Sequence, residues 1–223
     1  MRGTVLYAPG DVRFEERPDP AIVNPTDAIV RTAATCVCGS DLWSYRGINR
    51  VERVGDGAVG LCAVIAAREL GAERIIAMSR HEPRQRLARE FGATHVVTER
   101  GDDGVASIME LTDGVGADSV LECVGTDEAM QQALRSTRPG GSVGFVGVPH
   151  GVEIRGEQLF RSHVGLRGGP APVRSFLPDL IDRVWRGRID PGRVFDLTLP
   201  LDQVAEAYRA MDERRAIKAL LQP

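Results

Sequence analysis

The sequence predicts an α/β fold, a doubly wound parallel sheet with a β segment ahead of it. Three observations lead there. Gly55-Asp56-Gly57-Ala58-Val59-Gly60 fits G-x-G-x-x-G. It runs directly into a helix-like stretch, Ala58 to Leu70, and then a strand-like one, Arg74 to Met78. Beyond it, short apolar runs alternate with helical ones, the order expected of a parallel sheet covered on both faces.

The first fifty residues read as short strands: Gly3–Tyr7, Asp11–Glu16 and Ala28–Ala34. Val12-Arg13-Phe14-Glu15 alternates, and Pro and Asn punctuate the intervals. After Leu70 come strands at Arg74–Met78, Thr94–Val97, Asp118–Cys123, Ser142–Gly147 and Val164–Arg167. Helices separate them at Glu82–Phe91, Gly104–Leu111 and Glu128–Ser136. A long helix, Val173–Arg186, a strand near Val194–Leu199, a helix at Asp202–Met211 and a strand at Ala216–Leu221 complete the pattern.

This context makes the glycine turn a Rossmann-type dinucleotide site. Gly55 permits the tight turn, Gly57 lets the backbone approach a pyrophosphate, and Gly60 lets the helix pack on its strand. The phosphates then face free N–H groups at the positive end of the helix. The next strand end distinguishes the dinucleotides. NAD sites of this kind place Asp or Glu there, against the ribose 2′-hydroxyl. Here the strand ends in Ser79-Arg80. A hydroxyl and a forked guanidinium suit a 2′-phosphate, so NADP is expected over NAD. Arg84, a turn further on, offers a second cation, although a helix-surface charge accounts for it as well. Glu82 is the counter-argument, but it falls on the following helix. Ligands in open α/β sheets bind beyond the strand C-termini, so Val124-Gly125, Gly147 and Gly168, each in a small-residue loop, are further cofactor candidates.

Bulk properties restrict the partners. The chain has 223 residues, 43% of them hydrophobic, and a net charge of −3. No basic block occurs, which argues against nucleic acid and against an anionic membrane surface. The longest apolar run, Gly57 to Ala67, is too short to span a bilayer. Met1-Arg2-Gly3-Thr4 has no signal-peptide core, and the four cysteines include no C-x-x-C pair, so a cytoplasmic protein with reduced thiols is expected.

Cys38-Gly39-Ser40-Asp41-Leu42, Gly55 to Gly60, Gly116-Ala117-Asp118 through Gly125, Arg138-Pro139-Gly140-Gly141, and Leu201 to Tyr208 followed by Ala216-Ile217-Lys218 occur in chain order. Together these segments resemble zinc-dependent alcohol dehydrogenases of the medium-chain dehydrogenase/reductase family. The resemblance implies a GroES-like catalytic domain, here only partial (1–52), a Rossmann domain (53–190), and a C-terminal segment (191–223) that returns to the catalytic domain. It implies reversible NAD(P)-dependent interconversion of small-molecule alcohols with aldehydes or ketones, and possible homodimers through the sheet-edge strand near Val164–Arg167. Cys38 matches the first catalytic zinc ligand and Ser40 the hydroxyl that relays the substrate proton. Asp41 matches the acidic residue beside them.

The departures from the family are large. The Gly-His-Glu motif with the second zinc ligand, the four-cysteine structural-zinc lobe and the third catalytic ligand are all missing, with a junction expected around Glu52-Arg53. A catalytic zinc needs three protein ligands and an open position, so the zinc site is incomplete and impaired catalysis is expected. The run 49–54, which should supply the first sheet strand, carries three charges, and a frayed central strand is expected from their burial. Two alternatives remain: a dinucleotide-binding protein or fragment without turnover, and a zinc-independent quinone reductase. A methyltransferase would share the glycine turn but leave Arg80 without a phosphate.

Overall fold

A computed structural model describes residues 1–47 and 57–223. The chain divides into two compact units, Met1–Asn49 with Gly192–Pro223, and Arg50–Pro191.

The first unit joins sequence from both ends. Strands β1 (Arg2–Ala8) and β2 (Asp11–Glu16) form an antiparallel hairpin around Gly10, whose φ of +75° suits the two-residue turn. Strand β3 (Thr35–Cys36) leads to the short helix α1 (Asp41–Tyr45). From the other end come β9 (Phe195–Pro200), α8 (Val204–Asp212) and β10 (Lys218–Gln222). Strand β10 runs parallel to β9 and antiparallel to β3. One apolar core unites them: Val12, Val37 and Leu42 pack with Val204, Ala207, Met211 and Leu221.

The expected strand Ala28–Ala34 is not formed. Residues 28–34 carry no regular element, and Val30 is 80% exposed. An apolar, β-branched run becomes a strand only against a partner with free N–H and C=O groups. The edge that β10 offers is taken by the next two residues, Thr35 and Cys36.

In the second unit, α2 (Ala58–Glu69) is followed by β4 (Ile76–Met78), α3 (Glu82–Phe91), β5 (His95–Val97), α4 (Gly101–Leu111), β6 (Ala117–Glu122), α5 (Asp127–Ser136) and β7 (Thr137–Phe145). Then come α6 (Gly156–Ser162), β8 (Gly165–Gly168) and α7 (Val173–Trp185). Strands β4 and β5 pair in parallel, as do β6, β7 and β8 in that order. This is the α/β, parallel, Rossmann-type architecture the sequence predicts. In the doubly wound strand order the first strand stands between the two halves. The run 49–54, its expected source, lies outside the described residues, as do Gly55, the junction at Glu52-Arg53 and the frayed strand inferred there.

Side chains tie the halves together. Gln132 of α5 accepts from the Gly101 N–H (3.3 Å) and donates to Met78 Sδ (3.1 Å). Around Met130, Leu134, Val143 and Val164 an apolar core forms between α5 and the β6–β8 strands. Thr126 caps α5, its hydroxyl accepting from the Ala129 N–H at 3.3 Å. Helix α6 is an element for which the sequence reading has no counterpart.

Candidate dinucleotide site

Gly57, the N-cap of α2, has extended backbone (φ −78°, ψ −177°), and Gly60 lies in the helix's first turn. Among the described residues, a Cβ placed on Gly57 would meet nothing within 4 Å. No acidic side chain occupies the first turn of α2. Its orphan N–H groups and the positive end of its dipole therefore meet no carboxylate from within that turn.

At the end of β4, Ser79 is buried and Arg80 exposed. The Ser79 N–H donates to Val97 O at 3.0 Å, which continues the ladder with β5 by one step. The Ser79 hydroxyl accepts from the His81 N–H (3.3 Å), and Gln85 Nε2 donates to Ser79 O at 3.0 Å. These bonds fix the turn that carries Arg80 outward. Glu82 is the first residue of α3 and is paired with Arg86 at 2.7 Å, one helical turn on. Arg84, half-buried, lies on the same helix.

One residue at this end escaped the sequence reading. Arg100 Nη2 donates to Met78 O at 3.3 Å, bringing a second guanidinium to the terminus of β4 from the β5–α4 connection. Its sequence signal is faint: a cation one strand further along, at the helix N-cap before Gly101.

The other half of the sheet presents the remaining candidates. Val124 and Gly125 follow β6, and Gly147 follows β7. Gly168 closes β8 and is aligned with Phe145. The loops after β6 and β7 touch backbone to backbone. The His150 N–H donates to Gly125 O (2.9 Å), and Thr126 and His150 form a parallel bridge. A Cβ on Gly125 (φ +91°) would overlap Val148 O, and one on Gly147 would overlap the Gly125 N. Glycine is required at both places.

Glu122, the last residue of β6, is the residue that sequence reasoning missed here. It is 3% exposed, and its Oε1 accepts from the N–H groups of Val124 (2.6 Å) and Gly125 (2.8 Å). Its Oε2 is buried with no hydrogen-bond partner among the described residues. Burial raises its pKa above the usual carboxylate range, against the lowering effect of the two N–H bonds. The available signal was a carboxylate ending an otherwise apolar strand, just before small residues.

The metal candidate lies in the first unit. Cys38 and Ser40 are exposed, and the Ser40 hydroxyl lies 3.2 Å from Cys38 Sγ. Asp41 Oδ2 accepts from the Cys38 N–H at 2.7 Å, which fixes the start of α1. Among the described residues no group of three or more His, Cys, Asp or Glu side chains is placed to hold a metal ion. The donor set described around Cys38 therefore does not fit a catalytic zinc, which takes three protein ligands.

Residues 58–184 match the family model for zinc-binding dehydrogenases. The chain belongs to that family. It is 39% identical over 161 residues to a probable zinc-binding alcohol dehydrogenase of Mycobacterium tuberculosis, a match covering 71% of this chain and 41% of that protein. With the zinc-type alcohol dehydrogenase B of Aspergillus flavus it shares 31% identity over 172 residues, 76% of this chain and 40% of the relative. The chain thus spans less than half the length of these relatives. Among solved structures, an alcohol dehydrogenase zinc-binding domain protein from Burkholderia ambifaria superposes with a TM-score of 0.68 at 32% identity, over 75% of this chain and 46% of that one. An alcohol dehydrogenase from Thermus sp. ATN1 matches with a TM-score of 0.91, covering 100% of both chains, and at 22% identity shows the shared fold alone. Among the described residues no helix is long and apolar enough to cross a membrane.

Proposed function

We propose that the chain binds NADP(H) in preference to NAD(H), as the cofactor half of an alcohol dehydrogenase-type oxidoreductase. The reaction class is hydride transfer between the nicotinamide and the carbon of a small alcohol, aldehyde or ketone. The observation that carries the preference is the end of β4. Ser79 is locked into the turn, Arg80 is exposed, and the next carboxylate in sequence, Glu82, is paired with Arg86 within α3. A 2′-phosphate meets a cation there, whereas a 2′-hydroxyl finds no acceptor carboxylate at the strand end. Gly57 and Gly60 support the pyrophosphate, and Arg84 and Arg100 add positive potential.

The same reading holds turnover to be impaired. Zinc would supply a Lewis acid for the alcohol oxygen, and the described donors do not assemble its site. Ser40 by itself is a weak proton donor near neutral pH. That same donor set favours the second reading, a dinucleotide-binding protein without turnover. A homodimer through the β8 edge and a cytoplasmic setting complete the proposal, the latter supported by free thiols at Cys36 and Cys38 on the surface.

Titration of the purified chain with NADPH and NADH, read by nicotinamide fluorescence, tests the cofactor assignment. Tighter NADPH binding that Arg80→Ala abolishes selectively supports it, and equal affinities sink it. Zinc analysis with alcohol oxidation separates the two readings: bound zinc with turnover refutes impairment. Quinone reduction by NADPH in metal-free protein would instead favour a zinc-independent reductase.

A further inference from the structure

We propose that Glu122 is a positioning residue for the nicotinamide half of the bound dinucleotide, an inference that rests on the dinucleotide reading above. A doubly wound sheet holds one mononucleotide in each half. Strands β4 and β5 belong to the half whose strand end carries Ser79 and Arg80. Strands β6, β7 and β8 belong to the other half, and the loops at their ends are where the second mononucleotide lies.

Glu122 anchors two of those loops at once. Its side chain takes the N–H groups of Val124 and Gly125 on a single oxygen. Its main-chain carbonyl takes those of Val146 (2.9 Å) and Gly147 (3.3 Å). The loops then meet with no side chain between them, because Gly125 and Gly147 lie where any Cβ would strike backbone. The result is a floor of bare peptide groups, suited to the close approach of a flat ring and to hydrogen bonds with a carboxamide. Two N–H groups that would otherwise remain orphans are turned inward to Glu122, which fixes the direction of the peptide planes above them. Replacing the carboxylate frees those N–H groups and lets the 124–125 peptides rotate, while the turn at Ser79 and the α2 N-terminus are untouched.

The test compares whole and half cofactor on the full chain. NADPH and adenosine 2′,5′-bisphosphate, which lacks the nicotinamide mononucleotide, are titrated against wild type, Glu122→Ala and Glu122→Gln. Glu122→Ala is expected to weaken NADPH about tenfold or more, the scale of one or two lost hydrogen bonds, with the bisphosphate unchanged. Glu122→Gln, whose amide oxygen still accepts both N–H groups, is expected to restore most of the loss. If Glu122→Ala does not fold, Glu122→Asp carries the same comparison, because a shorter carboxylate cannot reach both donors. Equal weakening of both ligands, or of neither, overturns the proposal. Wild type that binds neither NADPH nor NADH overturns the dinucleotide reading itself, and this inference with it. Wild type that prefers NADH refutes only the phosphate assignment, and the comparison then runs with NADH and 5′-AMP.

Discussion

The Arg46 guanidinium is paired with the Asp212 carboxylate, joining α1 to the end of α8 across 166 positions of sequence. Both side chains are about two-thirds shielded, at 28% and 32% exposure. Beside them the Tyr45 and Tyr208 rings lie tilted, their centroids 5.2 Å apart. An aromatic contact and an ion pair thus close the same seam. Asp212→Ala is expected to destabilise this unit by about 1 kcal/mol, the upper end for surface pairs, since partial shielding reduces screening. Urea denaturation checks it, and the loss should shrink as salt is added. An unchanged midpoint at low salt would show the pair to be energetically silent.

Gly125→Ala is expected to be more damaging than Gly114→Ala. Both glycines have positive φ, +91° and +79°. Such a conformation disfavours alanine by about 1 kcal/mol or more. Only at Gly125 does the new methyl also strike backbone, at Val148 O, while at Gly114 it meets nothing within 4 Å. Thermal melts of the two variants isolate the steric contribution as their difference, and equal losses would mean that the loop shifts freely to accept a Cβ.

Local rules made most of the second unit legible. Glu82 and Pro83 open α3, and Gly92, at φ +119°, closes it. Those are the start and stop signals that composition advertises. Helix α6 gave no such signal. It is two turns long, and none of its residues is fully buried. Residues 28–34 failed in the opposite way. Their apolar, β-branched content suits a strand, but a strand also needs an edge, and edges are tertiary facts. The site divides along the same line. The glycine turn and Ser79-Arg80 follow each other in sequence. Arg100 and Glu122 matter through the strand ends that they reach, and a reader of one segment at a time passes over them.

The Glu122 carboxyl has a pH signature of definite sign. Its pKa in the fold is raised above the ordinary 4.5, chiefly by burial. The folded protein therefore holds this proton more tightly than the unfolded chain does. The stabilisation is complete below 4.5 and is lost as pH rises through the raised value. The stability of wild type minus that of Glu122→Gln should fall with rising pH across that window. Denaturation of both proteins from pH 4 upward reads it, and a difference that grows with pH would contradict the burial argument.

Thiol chemistry should separate the cysteines. Burial pushes the Cys123 thiol up to about 12, with smaller contributions from Glu122 and Cys62, whereas Cys36 and Cys38 are exposed. Because the thiolate is the nucleophile, iodoacetamide at pH 8 is expected to label Cys36 and Cys38 and to leave Cys123 intact until the protein unfolds. Peptide mass mapping of the native and urea-treated protein decides it. Cys123 is half-buried, and its early labelling would show that its surroundings do not hold the thiol protonated.

The Lys218 ammonium donates to the carbonyl of Val37, 181 positions earlier, and β10 supplies the partner for β3. The unit that contains the first strands thus depends on the last ones for its three-stranded sheet and most of its buried core. Contacts of that sequence separation form slowly, because a long loop must close before they are rewarded. On the ribosome, β1, β2 and α1 emerge before the α2–α7 segment and wait, with Val12, Val37 and Leu42 short of their later-made partners, while that segment is made and folds. The order of synthesis and the order of folding are therefore inverted in this chain. Residues made before the α2–α7 segment are sheltered only by residues made after it, and chaperones or aggregation compete for them during that interval.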